Sequence, residues 1–259
     1  MVNIYPLSGE SFNEIVSKVG YENSSGYAGM KTEEYLKQVL KFQLGQFQLI
    51  TSQFFNLENE ITRITNETLL SVNTIVQLPK SLHIYIFPAN NTFVNEHMNG
   101  CCGFAPWKDV IHIYFNPTLR NSFETLKETI VHECSHILFY QYHNWNTLLD
   151  SLIAEGLAEL FTQEILQKTT TSEFARALND KEIISNWQKI KQHLQRNDMH
   201  NEVFFGVSEK FKNWTGYTIG FEIVKEFREQ NKNMQWSEII KLTPSQIMNE
   251  VMKTSRRFI

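Results

Sequence analysis

The chain has 259 residues, a formal net charge of −4 and a pI near 6.1, and its charges are spread along the sequence. This length allows a substantial hydrophobic core without disulfides or a structural metal, and we expect a single domain over residues 1–259. The weak acidic charge offers no basic surface to nucleic acid, and no apolar run is long enough to span a membrane. The N-terminus lacks the pattern of a signal peptide, so we expect a cytoplasmic protein.

Helical periodicity dominates both ends of the chain. Apolar residues recur every three or four positions between residues 32 and 78, which predicts at least two helices. We therefore expect an N-terminal helical layer over residues 1–78 and the functional core over residues 79–259. The last helix should begin at Pro244, because Thr243 and Gln246 form a capping box around it.

Two β-branched and aromatic runs, residues 82–87 and 110–115, are each closed by proline and predict two strands of one sheet. A Gly/Asn-rich loop through residues 100–103 should join them. Cys101 and Cys102 in this loop are either a soft-metal or redox pair or two small buried residues. The absence of a second Cys/His pair with zinc-finger spacing favours burial. Three cysteines do not make a disulfide framework, which fits a reducing compartment.

A metal-binding motif follows the second strand: His132-Glu133-Cys134-Ser135-His136. An apolar stripe runs through it and predicts a helix that begins near Asn121. Residues four apart share one face of a helix, so His132 and His136 can reach one metal ion. Glu133 lies close enough to that face to polarise a metal-bound water. The alternative is a pair of surface histidines on an amphipathic helix.

A second helix is predicted over residues 147–167, and it supplies the candidate third ligand, Glu155. A helix, a turn and most of a second helix would bring this glutamate back antiparallel to the motif. Gly156 costs about 1 kcal/mol relative to alanine inside a helix, so we expect another helix to approach closely there. A catalytic zinc takes three protein ligands and leaves one position to water, as this set would allow.

These residues carry a family resemblance. The motif His132-Glu133-x-x-His136 with Glu155 after eighteen intervening residues is similar to the aminopeptidase branch of the gluzincin metallopeptidases. Together with Leu-Leu-Asp-Ser-Leu-Ile-Ala-Glu-Gly-Leu-Ala-Glu at 148–159 and Gly-Tyr-Thr-Ile-Gly at 216–220, it resembles the YjaZ-type family of predicted zinc-dependent proteases. The likeness covers residues 82–259.

The resemblance implies an α+β, zincin-like (gluzincin) fold that is mostly helical, with a small mixed sheet before the metal-binding helix. It also implies a zinc metallopeptidase in which His132, His136 and Glu155 bind Zn²⁺. Glu133 would be the general base that takes a proton from the zinc-bound water and later delivers it to the leaving amine. Another divalent metal is compatible with the ligand types.

Two further residues have roles in the resemblance. Glu159 would be a second-shell carboxylate that accepts the other N–H of a ligand histidine; the alternative is a surface glutamate. Tyr217 would donate a hydrogen bond to the oxyanion of the tetrahedral intermediate, and the alternative is a core tyrosine packed between glycines. Three residues just past the motif are weaker candidates for the same donor: Tyr140, Tyr142 and His143.

The expected partner is a peptide or protein substrate, with no nucleic acid or membrane, and the sequence does not indicate an oligomeric state. The substrate is expected to add as a strand along the edge of residues 110–115, with residues 100–103 as part of the cleft wall. No Gly-Ala-Met-Glu-Asn exopeptidase loop is present, which favours endopeptidase over aminopeptidase action. The alternative function is a non-catalytic protein-binding or chaperone-like module that retains a metal site.

Overall fold

The computed structural model describes residues 57–259 and the backbone of two short segments, 3–6 and 48–49. Its strands are β1 (Asn3–Pro6), β2 (Gln48–Leu49), β3 (His83–Asn90), β4 (Cys101–Trp107) and β5 (Val110–Phe115). Its helices are α1 (Glu58–Ile75), α2 (Thr92–His97), α3 (Ser122–Tyr142), α4 (Leu148–Ile165), α5 (Asp180–Ile190), α6 (His200–Phe205), α7 (Thr215–Gln230), α8 (Trp236–Ile239) and α9 (Pro244–Met252). The prediction of a mostly helical α+β protein with a small mixed sheet is confirmed. Every helix in the described part is too short or too polar to cross a bilayer.

The contacts divide the chain into two units, Met1–Ile137 and Leu138–Ile259, and the boundary falls inside the continuous helix α3. The first unit holds the sheet, in the order β1-β3-β5-β4. Strands β1, β3 and β5 are parallel, whereas β4 is antiparallel to β5 and β2 is antiparallel to the end of β3. Strand β5 lies between β3 and β4 in this sheet, and α3 is the next element along the chain.

Strand β5 lies in the middle of the sheet, and all six of its residues are buried. This burial explains its continuous apolar run, since strands covered on both faces do not alternate. Both edges of β5 are paired, so the prediction that a substrate joins the edge of residues 110–115 is wrong. Among the described strands, β4 ends the sheet at that side.

The segment between β3 and β5 differs from the predicted loop, because it contains helix α2 and strand β4. Strand β4 includes Gly103 and Pro106 and lacks β-branched residues, which hides it from pattern analysis. Proline is tolerated in an edge strand because it has no N–H to donate, and a register shift interrupts the pairing near it. Residues 100–103 thus belong largely to an edge strand.

The N-terminal region is only partly described. Helix α1 confirms helical periodicity up to Ile75, with Ile61, Leu69 and Val72 on its buried face. Gln48–Leu49 forms a strand where helix was predicted, because its backbone pairs with the end of β3. The rest of the predicted helical layer lies outside the described residues, and the single-domain organisation stays a prediction.

Within the first unit, His112 of β5 is only 1% exposed. Its ring makes T-shaped contacts with the rings of Tyr85 and Phe87, with centroids 5.9 and 5.7 Å apart. Neither ring nitrogen has a hydrogen-bond partner among the residues that the structure describes. Burial lowers the pKa of His112 from 6.5 to about 3. Between these two values the unfolded chain binds a proton at this histidine and the folded chain does not. The free energy of unfolding is therefore independent of this histidine above pH 6.5 and decreases as the pH drops from 6.5 towards 3.

In the second unit, helices α4 and α7 cross in direct backbone contact. A Cβ on Gly156 would lie 2.1 Å from the carbonyl oxygen of Gly220, and a Cβ on Gly220 would lie 2.1 Å from the carbonyl oxygen of Leu152. Neither contact leaves room for a methyl group, so both helices need glycine at the crossing. The predicted close approach at Gly156 is confirmed, and Gly220 is its partner.

Candidate metal centre

Helix α3 carries the two histidines and the glutamate of the motif, as predicted. The rings of His132 and His136 lie 4.8 Å apart at an interplanar angle of 85°, as expected for residues one turn apart. His136 is 6% exposed and Glu133 is 5% exposed, while His132 is half-buried. Two exposed histidines on a surface helix would not have this burial, so the surface alternative is not supported.

Helix α4 places Glu155 two turns into a well-capped helix. Thr147 caps it by accepting a hydrogen bond from the Asp150 N–H, and the Asp150 carboxylate accepts one from the Thr147 N–H in return. Glu155 is only 8% exposed. A buried carboxylate is costly unless it is paired or binds a metal, which makes Glu155 a suitable ligand candidate.

The structure brings the three predicted ligands together. One ligand atom from each of His132, His136 and Glu155 lies within 4.8 Å of the other two. In the part of the chain that the structure describes, this is the one group of three or more such residues that could hold a metal ion. A tetrahedral zinc with ligands about 2 Å away keeps its ligand atoms about 3.4 Å apart, so small side-chain rotations would fit this set to one ion.

Glu133 packs against strand β4 through Gly103. A Cβ on Gly103 would lie 2.4 Å from Glu133 Cγ and 2.6 Å from Glu133 Oε1. The missing side chain therefore makes the space that the glutamate occupies. From the sequence, Gly103 was expected only to be part of a loop. The structure places it in contact with Glu133, the candidate general base.

The three cysteines are free thiols, and Cys101 and Cys134 are buried. Burial raises the pKa of Cys101 to about 12; a hydrogen bond with Thr129 opposes the rise and the charge of Glu133 adds to it. Burial and the charge of Glu133 likewise raise the pKa of Cys134. Among the described residues no cysteine belongs to the group that could hold a metal ion, and Cys102 is only partly buried, so the packing interpretation is supported for Cys101.

Glu159 follows Glu155 by one turn of α4 and is 6% exposed, so it is not a surface glutamate. Its Oε1 accepts a hydrogen bond from the Ser172 N–H at 2.8 Å. This bond ties the segment after α4 to the helix that carries Glu155. One oxygen of the carboxylate thus has a structural partner that the sequence did not reveal.

Tyr217 lies at the start of α7, half-buried among aromatic rings rather than packed between glycines. Its ring centroid is 5.2 Å from that of Phe174 and 5.0 Å from that of Phe204. The weaker candidates have other surroundings: Tyr142 is 48% exposed, and His143 Nε2 lies 2.8 Å from the Ile240 carbonyl oxygen. The ring contacts of Tyr217 place it in an aromatic cluster, and its role as a hydrogen-bond donor to the oxyanion stays a prediction.

His200, which the sequence did not single out, also belongs to the surroundings of Glu155. Burial lowers its pKa, and the charge of Glu155 acts in the opposite direction, which places the imidazole within electrostatic reach of the carboxylate. The residue opens the short helix α6 and belongs to no recognisable motif. Only the tertiary fold relates it to Glu155.

Fold and site together define an α+β protein in which two helices contribute two histidines and a glutamate to a potential metal centre. A family model described as Predicted Zn-dependent protease (DUF2268) matches residues 61–249, well over half of the chain. The chain belongs to this family, which confirms the resemblance to the YjaZ-type predicted zinc-dependent proteases. No curated protein and no solved structure matches the chain.

Proposed function

We propose that this chain is a zinc-dependent peptidase with a zincin-like catalytic core. The observation that carries the proposal is the convergence of His132, His136 and Glu155, with their ligand atoms within 4.8 Å of one another. Membership in a family of predicted zinc-dependent proteases gives independent support. The two imidazoles and one carboxylate are a ligand type used by catalytic zinc, and they would hold the ion.

Bound zinc would supply a Lewis acid for the substrate carbonyl and would lower the pKa of a coordinated water. Glu133 takes the proton from the attacking water and delivers it to the leaving amine. Its 5% exposure and its packing against Gly103 support this role, since a general base works best when it is held in one orientation. Tyr217 donates a hydrogen bond to the developing oxyanion.

The peptide substrate binds along β4. This strand ends the described sheet, and an extended peptide can add to such an edge through main-chain hydrogen bonds. Gly103 lies on this strand beside Glu133, so a peptide aligned with β4 passes close to the general base. Binding along a strand requires no free terminus, which favours endopeptidase over aminopeptidase action.

Glu159 supports the site from one turn below Glu155. The hydrogen bond from Ser172 to Oε1 fixes the carboxylate and leaves Oε2 to orient a ligand histidine. Its burial supports a structural or supporting role rather than a surface one. We therefore expect Glu159 to affect metal retention less strongly than Glu155.

The decisive test is the Glu133→Gln variant, which keeps the size of the side chain but removes its basicity. Zinc content measured by elemental analysis should equal that of the parent, while hydrolysis of an unbiased peptide library should fall by roughly 10²–10⁴-fold. Unchanged hydrolysis would refute the role of Glu133. A parent that binds zinc and peptides but cleaves neither library nor unfolded protein would instead be the non-catalytic binding module.

A second experiment addresses the type of cleavage. The library is prepared with free and with N-acetylated amino termini, and the products are sequenced by mass spectrometry. An endopeptidase should cleave both forms at internal bonds with similar rates. Cleavage restricted to the first bond of the free form would show an aminopeptidase and overturn the proposed binding along β4.

A further inference from the structure

His200 is held by a hydrogen-bond network that leaves one of its ring nitrogens available. His200 Nδ1 lies 3.0 Å from Ser151 Oγ, and the ring stacks on Phe204 with centroids 4.5 Å apart. Ser151 is one turn before Glu155 on α4, so the imidazole lies over the face of α4 that also carries this ligand candidate. His200 Nε2 has no hydrogen-bond partner within the described residues.

The network determines which nitrogen carries the proton. Ser151 Oγ can donate one hydrogen bond and accept two. Trp145 Nε1 donates to it at 2.8 Å, and the hydroxyl donates to the Thr147 carbonyl oxygen at 3.2 Å. The remaining bond, with His200, satisfies every group only if Nδ1–H is the donor. Nε2 of the neutral imidazole then carries a lone pair.

We propose that His200 Nε2 accepts a hydrogen bond from a backbone N–H of the bound peptide. A peptide backbone offers N–H donors and carbonyl acceptors, and only a donor can pair with a lone pair. The proposal rests on the peptidase function above and adds a specific substrate contact to it. It requires a backbone N–H next to the scissile region and predicts weaker binding of substrates whose amide at that position is N-methylated.

The tautomer is tested in the zinc-free protein by ¹⁵N NMR of labelled histidines. We expect His200 to carry its proton on Nδ1, and the Ser151→Ala variant, which removes the acceptor, should populate both tautomers. A His200 ring protonated on Nε2 would overturn the proposal. This measurement depends neither on metal nor on activity.

Peptide binding is tested with the zinc-loaded Glu133→Gln variant, which binds without turnover. The probes are a fluorescein-labelled random octapeptide mixture and the same mixture with N-methylated amides, measured by fluorescence anisotropy. Adding His200→Asn should weaken binding of the ordinary mixture about 10-fold and leave binding of the N-methylated mixture unchanged. Asparagine keeps a donor near the position of Nδ1 and has nothing at Nε2, so the fold and the zinc content should be preserved.

The outcomes separate this inference from the proposed function. Equal binding of the ordinary mixture by both variants, with hydrolysis by the parent intact, would overturn the role of His200 alone. Binding that depends on His200 in a protein that hydrolyses no peptide would overturn the peptidase function alone. No measurable peptide binding by the Glu133→Gln variant would overturn both.

Discussion

Replacing Gly103 with alanine should remove activity without removing the metal. The new Cβ would lie 2.4 Å from Glu133 Cγ, whereas ordinary contacts between such atoms begin at about 3.4 Å. The conflicting atoms belong to a side chain and not to backbone, so Glu133 will rotate away by about 1 Å while β4 stays in place. Alanine is itself acceptable in an edge strand, so the variant should fold.

The size of the effect follows from this displacement. A misplacement of 1 Å in a catalytic group can cost about 10²-fold in rate, so kcat/KM for a cleaved library peptide should fall by roughly that factor. Zinc content should equal that of the parent, because the contact with Gly103 involves Glu133 and not the predicted ligands. The assay combines steady-state kinetics with elemental analysis of the same preparation.

The Glu133→Gln background provides the control. If Gly103→Ala acts only by moving the general base, it should have little further effect once that base has been removed, and the two losses should not add. A fully active Gly103→Ala protein would show that the position of Glu133 is unimportant. Loss of zinc in this variant would show that β4 supports the metal ligands and that our assignment of the contact is wrong.

Three further perturbations test other parts of the structure. Glu155→Ala should lose zinc on dialysis, whereas Glu159→Ala should weaken metal retention or activity only about 10–100-fold; the reverse order by elemental analysis would mean that the ligand is misassigned. Gly156→Ala should destabilise the protein by roughly 2–3 kcal/mol and lower Tm by about 5–10 °C, because the new methyl group overlaps the backbone of Gly220. An unchanged Tm in calorimetry would contradict the helix crossing. His112→Phe should reduce the loss of unfolding free energy at acid pH, because the buried neutral histidine costs the parent up to about 1.4 kcal/mol per pH unit below 6.5. The free energy of unfolding is measured by urea titration at pH 7 and pH 4, and an equal decrease between the two pH values in both proteins would exclude this origin.

Local chemistry made part of the fold predictable. The capping box of Thr243 and Gln246 around Pro244 defined the start of α9, because all the groups that cap a helix lie within four residues. The stripe through the motif likewise placed His132 and His136 on one helix. These features depend on neighbours in sequence, so no knowledge of the tertiary structure was needed.

Strand β4 could not be predicted in the same way. Its order in the sheet, its antiparallel pairing and its bulge depend on β5, and its own residues carry no alternating pattern. That omission led to the wrong choice of substrate edge, since β5 was taken as the outer strand. His200 was missed for a related reason: its contacts with Ser151 and Phe204 give it a role, and no motif marks its position.

Two glycines, Gly103 and Gly156, lie next to the glutamates of the candidate site. Gly103 gives Glu133 its space, and Gly156, the residue after Glu155, lets α4 meet Gly220 of α7 at backbone distance. The proposed general base and the proposed carboxylate ligand thus each lie beside a glycine that has no room for a side chain. Side chains on rigid, closely packed elements are held more precisely than side chains on loops, which suits a site that must position a base and a ligand. Close packing at Gly156 was predicted from the sequence. The similar packing of Glu133 against Gly103 is seen only in the structure.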